Sequence, residues 1–501
     1  MLPLFKVAMS SNLEDVISTL QSGMITQGKK VEEFETKLKD WFKHPYILTL
    51  NSATSGLSLA LRLLNLPIGS EVLCTPLTCF ATTCAVLENR LSIKWVDVDP
   101  KTCNMDLDDL RRKISPNTKA IVFVHWAGSP IDLDRLHRIA GEIPIVEDCA
   151  HAFGAEYDGK KLGTHGNMAV YSLQAIKHLT TGDGGLIFLP NQQLYERAKL
   201  LRWYGISREK KPKGNDFRME ENITEWGYKF HMNDVNATIG LCNLPLAIEN
   251  LKTHRDNALY YTKELADLPG IQLLEQVPRS NSAFWLYTLK VQDKDSFMSF
   301  MNKKNITVSQ VHNRNDIHSC VSEFSSHLPN MDSLEKELIS IPVGWWITKE
   351  NREYIVSCIK EWSKLPIIRL LRKTDKNEYL ALLEQLNGHV CDPYKFDTAF
   401  AALDSSISDV YVLIVNGEMV ATAKVIYEIK FSDNVAHIED VVCAKQHRKK
   451  GYASQLIQHI IEKTRPLNCY KIVLNANEDI VPLYLKNGFS KKGSEMCLYL
   501  Q

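Results

Sequence analysis

Apolar residues along the chain fall into short unbroken runs, and the stretches between the runs repeat at helical spacing. YILTL, EVLCTP, IKWVDVD, KAIVFVHW, IPIVEDC and MAVYSL are apolar almost throughout, as strands covered on both faces must be. Between them LSLALRLL, LDDLRRKI and DLDRLHRIAGE carry apolar residues three and four apart, which predicts helices. Strand and helix in alternation predict a mainly parallel sheet sandwiched by helices, with its sites at the carboxyl ends of strands. Helices are also expected near Asn12 to Leu20, Val31 to Phe42 and in NQQLYERAKLLRWYG, and SREKKPKGNDFRMEEN reads as a polar loop. From about Lys252 to Trp362 the pattern changes to a helix, strands such as FWLYTLKV, and a helix after Asp295. LPIIRLLRKTDKNEYLALLEQL then opens a last segment with a strand and an amphipathic helix.

At 501 residues the chain exceeds one ordinary core, so two or three domains are expected. Lys and Arg total 59, as do Asp and Glu, and this balance excludes the basic excess of a nucleic-acid binder. The 12 cysteines form no CxxC pair and sit mostly in apolar runs, which fits reduced thiols and neither a disulfide framework nor a metal site. No apolar run reaches the roughly 18 to 20 residues of a membrane span, and MLPLFKVAMSS lacks the regions of a signal peptide. A cytoplasmic protein without membrane contact is the expectation.

The candidate chemistry centres on Lys177 in SLQAIKHLTTGDGG, between a strand and a loop of small residues. An exposed ammonium has a pKa of about 10.4, so a lysine that attacks an aldehyde must be desolvated or set near another cation. Upstream, Asp148 ends an apolar strand in VEDCAHAFGA. A buried carboxylate needs a cationic partner, and the protonated ring nitrogen of pyridoxal phosphate is one.

In this order Asp148, His151, Ser172, Lys177 and the glycine pair make the region VEDCAHAFGA to TTGDGG resemble the signature of the DegT/DnrJ/EryC1/StrS sugar aminotransferases. These are fold-type I pyridoxal phosphate enzymes that aminate keto sugars carried on nucleotides, and the resemblance runs from about Leu4 to about Trp362. It implies that Lys177 is the Schiff-base lysine and that Asp148 and His151 belong to the cofactor site. It further implies that Ala53, Thr54 and Ser172 hold the cofactor phosphate and that Phe80 stacks on the pyridine ring. Locally, Ser and Thr before SGLSLALRLL also read as plain helix capping, and Phe80 as a core aromatic. Lys229 stands where many members have an asparagine that reaches the cofactor phosphate of a neighbouring subunit, which implies a homodimer. His312 and His318 fall where members have substrate-facing residues, and equally read as polar loop histidines.

The last segment contains AHIEDVVCAKQHRKKGYASQLIQHIIEKT, a strand, a basic turn and a helix, the arrangement whose backbone N–H groups can hold a diphosphate. From Ile367 to Leu500 the chain resembles GNAT acyltransferases, most closely the eukaryotic glucosamine-6-phosphate N-acetyltransferases. That resemblance gives Arg448, Gly451 and Ala453 the diphosphate of acetyl-CoA and Tyr484 the thioester sulfur. It sets Glu439 beside the acceptor amine, and Asp440 and Val441 where backbone N–H polarises the thioester carbonyl. Asn475 and Ile480 depart from those relatives, which have an acid and an asparagine there, so the acceptor is expected to differ.

The expected architecture is α/β: a large parallel-sheet domain over 1–250, a small α+β domain over 251–364 and a GNAT domain over 365–501. The expected function is transamination of a nucleotide-linked keto sugar by L-glutamate, followed by N-acetylation from acetyl-CoA, for example on a 4-keto-6-deoxyhexose. Three alternatives stand beside it. A sugar dehydratase would carry histidine in place of Lys177. The C-terminal domain could be a binding or regulatory module. The large domain could be a structural partner of a glucosamine-6-phosphate acetyltransferase.

Overall fold

The structure is a computed structural model that describes residues 1–207, 222–403 and 407–492. Most of the polar loop SREKKPKGNDFRMEEN and the final residues from 493 lie outside the described residues. The chain forms two compact units, Met1–Ala266 with Ile271–Ile359, and Asp267–Gly270 with Lys360–Gln501.

The apolar runs of the first unit become a seven-stranded sheet. Its spatial order is Ile47–Leu50, Gly185–Phe188, Met168–Ser172, Ile145–Asp148, Thr118–Val124, Glu71–Cys74, Ser92–Trp95. Gly185–Phe188 runs antiparallel to both neighbours and the other pairings are parallel, so the sheet is mainly parallel as the alternation requires. Alternate residues enter separate cores. Leu48, Val122, Val146 and Val170 face one side, and Ile47, Ile121, Phe123 and Tyr171 the other, which explains why the strands read as unbroken apolar runs.

A helix of 32 residues, Asp234–Leu265, passes through residue 250, so the expected boundary there falls inside a continuous element. The Asp234 carboxylate also accepts from the amides of Gly28 and Val31 at 2.7 and 3.1 Å, capping the helix Lys29–Phe42. A three-stranded antiparallel sheet follows, with Tyr287–Val291 between Ile271–Leu273 and Leu338–Ile341.

The second unit is a five-stranded sheet in the order Ile367–Leu370, Ser408–Val415, Glu418–Glu428, Asn434–Cys443, Cys469–Leu474. All its pairings are antiparallel except the last, which is parallel. Leu456 and Ile460 of the helix Tyr452–Thr464 pack on Ala421, Ala423, Val425 and Ile438 of one face.

Candidate active sites

The first site lies at the strand ends. Gly185 pairs with Leu50 on one side and Ser172 on the other, so three strands meet at this position. The helix Ala53–Leu63 starts just beyond Leu50, and its cap is Ser52, whose hydroxyl accepts from the Ser55 amide at 3.0 Å. Ordinary capping therefore uses Ser52 and leaves the amides of Ala53 and Thr54 at the positive helix end for an anion. A Cβ on Gly185 would stand 2.5 Å from the Ser52 carbonyl and 2.6 Å from the Ala53 nitrogen, so only glycine lets the strand approach the helix start this closely. Ser172 is buried beside it. Lys229 is exposed, and its carbonyl accepts from Asn51 Nδ2 at 3.4 Å, which sets its backbone next to this helix end within the same chain.

Lys177 follows the strand Met168–Ser172 in an irregular loop. Its Nζ lies 3.5 Å from the centroid of the Trp285 ring. Trp285 stacks on His151 at 4.0 Å and 17°, and His151 stacks on His312 at 5.6 Å and 7°. Trp285 is fixed by its own Nε1, which donates to the Ile176 carbonyl at 2.9 Å. Burial draws the Lys177 pKa down to about 7, while the charge of Asp148 opposes the shift.

Asp148 ends its strand fully enclosed. Thr82 Oγ1 donates to its Oδ2 at 2.7 Å, and the Ala150 amide to its Oδ1 at 3.0 Å. Burial raises its pKa despite these donors and Lys177, so the carboxylate lacks a sufficient counter-charge. Burial likewise pushes His151 well below its usual pKa and His312 down to about 4, with Lys177 adding to both shifts. Both ring nitrogens of His151 and Nε2 of His312 are buried without a hydrogen-bond partner among the described residues. Phe80, at the start of the helix Phe80–Glu88, meets His318 edge to face at 5.1 Å. The segment carrying both histidines is tied down by Asn315, whose amide donates to the Pro76 carbonyl and whose Nδ2 donates to Thr83 Oγ1, each at 2.8 Å.

The structure thus gathers Asp148, His151, Lys177 and His312 into one cluster and Ala53, Thr54 and Ser172 into another, with Phe80 against His318. Trp285 and Thr82 join the site without a signal in the sequence. Trp285 sits in FWLYTLKV, legible only as a strand, and Thr82 lies two residues after Phe80 in LTCFATT.

In the second unit the helix Tyr452–Thr464 begins at Gly451, whose φ of +86° takes the left-handed turn that glycine accommodates. No side chain caps this helix, so the amides around Ala453 stay available to an anion. Arg448 is exposed beside the turn, its Nε donating to the Cys443 carbonyl at 3.1 Å. The strand Asn434–Cys443 pairs with Cys469–Leu474 only as far as Ile438 with Leu474. Just beyond, the ladder with Glu418–Glu428 shifts register, and Asp440 in this bulge has a φ of +51°. Glu439 and Val441 flank Asp440 where the sheet opens. Tyr484 is buried in the helix Val481–Lys486, its ring 5.9 Å from that of Phe489. Burial raises its pKa.

A lysine of lowered basicity near a buried, under-compensated aspartate, at the strand ends of a mainly parallel sheet, defines a carbonyl-condensing transferase site of the pyridoxal phosphate kind. The profile of the DegT/DnrJ/EryC1/StrS aminotransferase family matches residues 8–360, and the chain belongs to this family. Residues 377–489 match the acetyltransferase (GNAT) family, so a GNAT domain follows the aminotransferase. Among solved structures, AtS13 from Actinomadura melliaura is 48% identical with a TM-score of 0.70, over 72% of this chain and 98% of its own. The sugar aminotransferase CalS13 from Micromonospora echinospora is 45% identical with a TM-score of 0.69, over 72% and 100%. The uncharacterized protein MJ1066 of Methanocaldococcus jannaschii is 32% identical over 70% of this chain and 94% of its own.

The site's own chemistry fits pyridoxal phosphate. Asp148 lacks a counter-charge that a pyridinium would provide, and the amides at the start of the Ala53–Leu63 helix suit a phosphate. The unpartnered nitrogens of His151 lie in the same cluster. Among the described residues no helix is long and apolar enough to cross a membrane.

Proposed function

We propose that the chain transaminates a nucleotide-linked keto sugar, a 4-keto-6-deoxyhexose, with pyridoxal phosphate and L-glutamate, and then acetylates the new amine from acetyl-CoA. The observation that carries this reading is the Lys177 amine, drawn down to about 7 beside Asp148, in a chain that continues into a GNAT domain. Pyridoxal phosphate, when bound, supplies the electron sink that makes C–H bonds of donor and sugar acidic. Lys177 Nζ, neutral for a large share of the time near pH 7, takes and returns the proton at the carbon being aminated. Asp148 holds positive charge at the ring nitrogen. Ser172 and the amides of Ala53 and Thr54 hold the phosphate, helped by Lys229 as a compact cation of a neighbouring subunit, so the working form is a homodimer. Phe80 and His151 wall the cofactor site, and His312 and His318 orient the sugar.

In the GNAT domain Arg448 and the amides around Gly451 and Ala453 hold the coenzyme diphosphate. Glu439 takes the proton from the sugar ammonium, since only the neutral amine attacks. The Val441 amide polarises the thioester carbonyl, and the Tyr484 hydroxyl protonates the departing thiolate. The reduced cysteines suit a cytoplasmic setting.

The test is a panel of nucleotide-linked keto sugars incubated with L-glutamate and acetyl-CoA, with products weighed by mass spectrometry. One keto sugar should gain an amine that requires glutamate and an acetyl group that requires acetyl-CoA. Acetylation of glucosamine 6-phosphate in preference to every amino sugar formed would overturn the reading.

A further inference from the structure

The sheet face that carries Glu439 holds a second charged side chain to which nothing above gives a role. Lys424, on Glu418–Glu428, pairs directly with Glu439 across the antiparallel ladder. Their side chains therefore stand on one face, with Cβ atoms about 5 Å apart. On its other flank Lys424 pairs with Val410, which is buried and apolar. Lys424 is itself half-buried, and among the described residues it forms no ion pair. Lys376 and Lys430 of the same unit differ in this, pairing with Asp397 at 2.6 Å and Glu428 at 3.1 Å.

The placement of Lys424 relative to the opening in the sheet is what gives it meaning. The strand Asn434–Cys443 loses its parallel partner after Ile438, so from Glu439 onward one flank is open on the side of Cys469–Leu474. Lys424 lies on the opposite flank. An acetyl donor entering the open flank and an acceptor reaching over Lys424 would meet at Glu439. A lysine that gives up part of its hydration in mid-strand without a carboxylate in contact is suited to an anion that arrives with a ligand.

We propose that Lys424 is an anion subsite for the acetyl acceptor, holding a phosphate oxygen of a nucleotide diphosphate sugar while Glu439 faces the sugar's amine. The assignment rests on the reading of Glu439 as the acceptor-side carboxylate. The ammonium is a point charge with three donors, so it recognises phosphate as such, and the wider arms of the test distinguish a diphosphate from a sugar phosphate monoester.

The experiment uses the full chain loaded with pyridoxal phosphate and saturated with CoA, so that both other phosphate-holding places are filled. Inorganic pyrophosphate is titrated into the wild type, Lys424→Gln and Lys424→Arg by calorimetry. Binding should weaken by about tenfold or more in Lys424→Gln and be largely kept in Lys424→Arg. Acetyl transfer is then followed with a nucleotide-linked amino sugar, glucosamine 6-phosphate and the methyl glycoside of an amino sugar. In Lys424→Gln, KM should rise by about tenfold for the nucleotide-linked sugar with kcat little changed, and stay the same for the methyl glycoside. Equal pyrophosphate binding in all three proteins would overturn the assignment. So would a fall in kcat shared by every acceptor, which would make Lys424 a support of Glu439, or a KM effect confined to glucosamine 6-phosphate. Loss of pyrophosphate binding in Lys424→Gln, in a wild type that acetylates nothing, would uphold the anion subsite and remove the acetylation reading instead.

Discussion

Lys177 Nζ lies 3.5 Å from the ring centroid of Trp285, and that one contact combines two opposing influences on the lysine. The ring face attracts the ammonium, by about 0.5–2 kcal/mol in general, and so favours the charged form. The same ring keeps water out, and desolvation of a buried lysine is worth up to about 3–5 pKa units of about 1.36 kcal/mol each. Several kcal/mol of desolvation outweighs that attraction, and burial draws the pKa down to about 7. Trp285→Leu should therefore admit water and raise the lysine's pKa by about 1 unit or more, whereas Trp285→Phe should change it little. The pH dependence of pyridoxal phosphate capture by the cofactor-free protein reads this directly. A midpoint that moves down in Trp285→Leu would show that the ring's attraction dominates.

Gly185 admits no side chain, because a Cβ would collide with backbone atoms of Ser52 and Ala53. Backbone cannot rotate away as a flexible side chain does, so Gly185→Ala should push the strand from the helix start. The expected result is a loss of cofactor affinity by about tenfold or more, with the Lys177 side chain itself untouched. Equilibrium dialysis against pyridoxal phosphate measures it, and unchanged affinity would remove the phosphate role of this helix end.

Much of this was legible in the chain. The unbroken apolar runs marked the parallel strands because both faces are buried, and Asp148 at the end of IPIVEDC marked a carboxyl end, while Ser172 and Lys177 gained their roles from the family resemblance. Trp285 was not legible, because its role depends on the strand Tyr287–Val291 being brought back beside a loop more than a hundred residues earlier, and periodicity carries no such information. The helix that passes through residue 250 was illegible for a related reason. The helix Asp234–Leu265 runs on through Gly240 and Pro245, the two residues whose propensity opposes it, so local composition does not mark how far it extends. Lys424 stayed hidden because its meaning comes from its cross-strand partner, and register is a property of the folded sheet.

Asp148 offers a test with opposite signs in the free and loaded protein. Its folded pKa is raised by burial, so its favourable contribution is present at low pH, where it is protonated, and is lost as pH rises through that folded value. Once ionised, the carboxylate is thus a burden that a bound pyridinium relieves. Asp148→Asn keeps the shape; its Oδ1 still accepts from the Ala150 amide, and its Nδ2 donates to Thr82 Oγ1, whose hydroxyl turns to Thr78 Oγ1. The cofactor-free variant should melt at or above the wild-type temperature, and its gain on adding pyridoxal phosphate should shrink. A large drop in Tm of the cofactor-free variant would contradict this.

The buried histidines set an acid limit. His254 and His312 are both drawn down to about 4 by burial, and each stays neutral in the folded chain while the unfolded chain protonates near 6.5. A depressed folded pKa gives stability that is full above about 6.5 and lost as pH falls towards 4, by up to roughly 3 kcal/mol for each group. His254 Nδ1 meets the Phe284 carbonyl at 2.9 Å, a bond that Gln can remake by donating its own N–H. His254→Gln should therefore flatten the fall in denaturant midpoint between pH 6.5 and 4, and an unchanged slope would exclude His254 as a contributor.

The central claim is that one chain forms a sugar amine at Lys177 and acetylates it at Glu439. The most direct measurement weighs the products of the wild type, Lys177→Ala and Glu439→Gln after incubation of the aminated keto sugar's precursor with L-glutamate and acetyl-CoA. The wild type should give the acetamido sugar, and Glu439→Gln should accumulate the free amino sugar. Lys177→Ala should leave the keto sugar unchanged while still acetylating added amino sugar. Amination by Lys177→Ala, or full acetylation by Glu439→Gln, would contradict the assignment of the corresponding site.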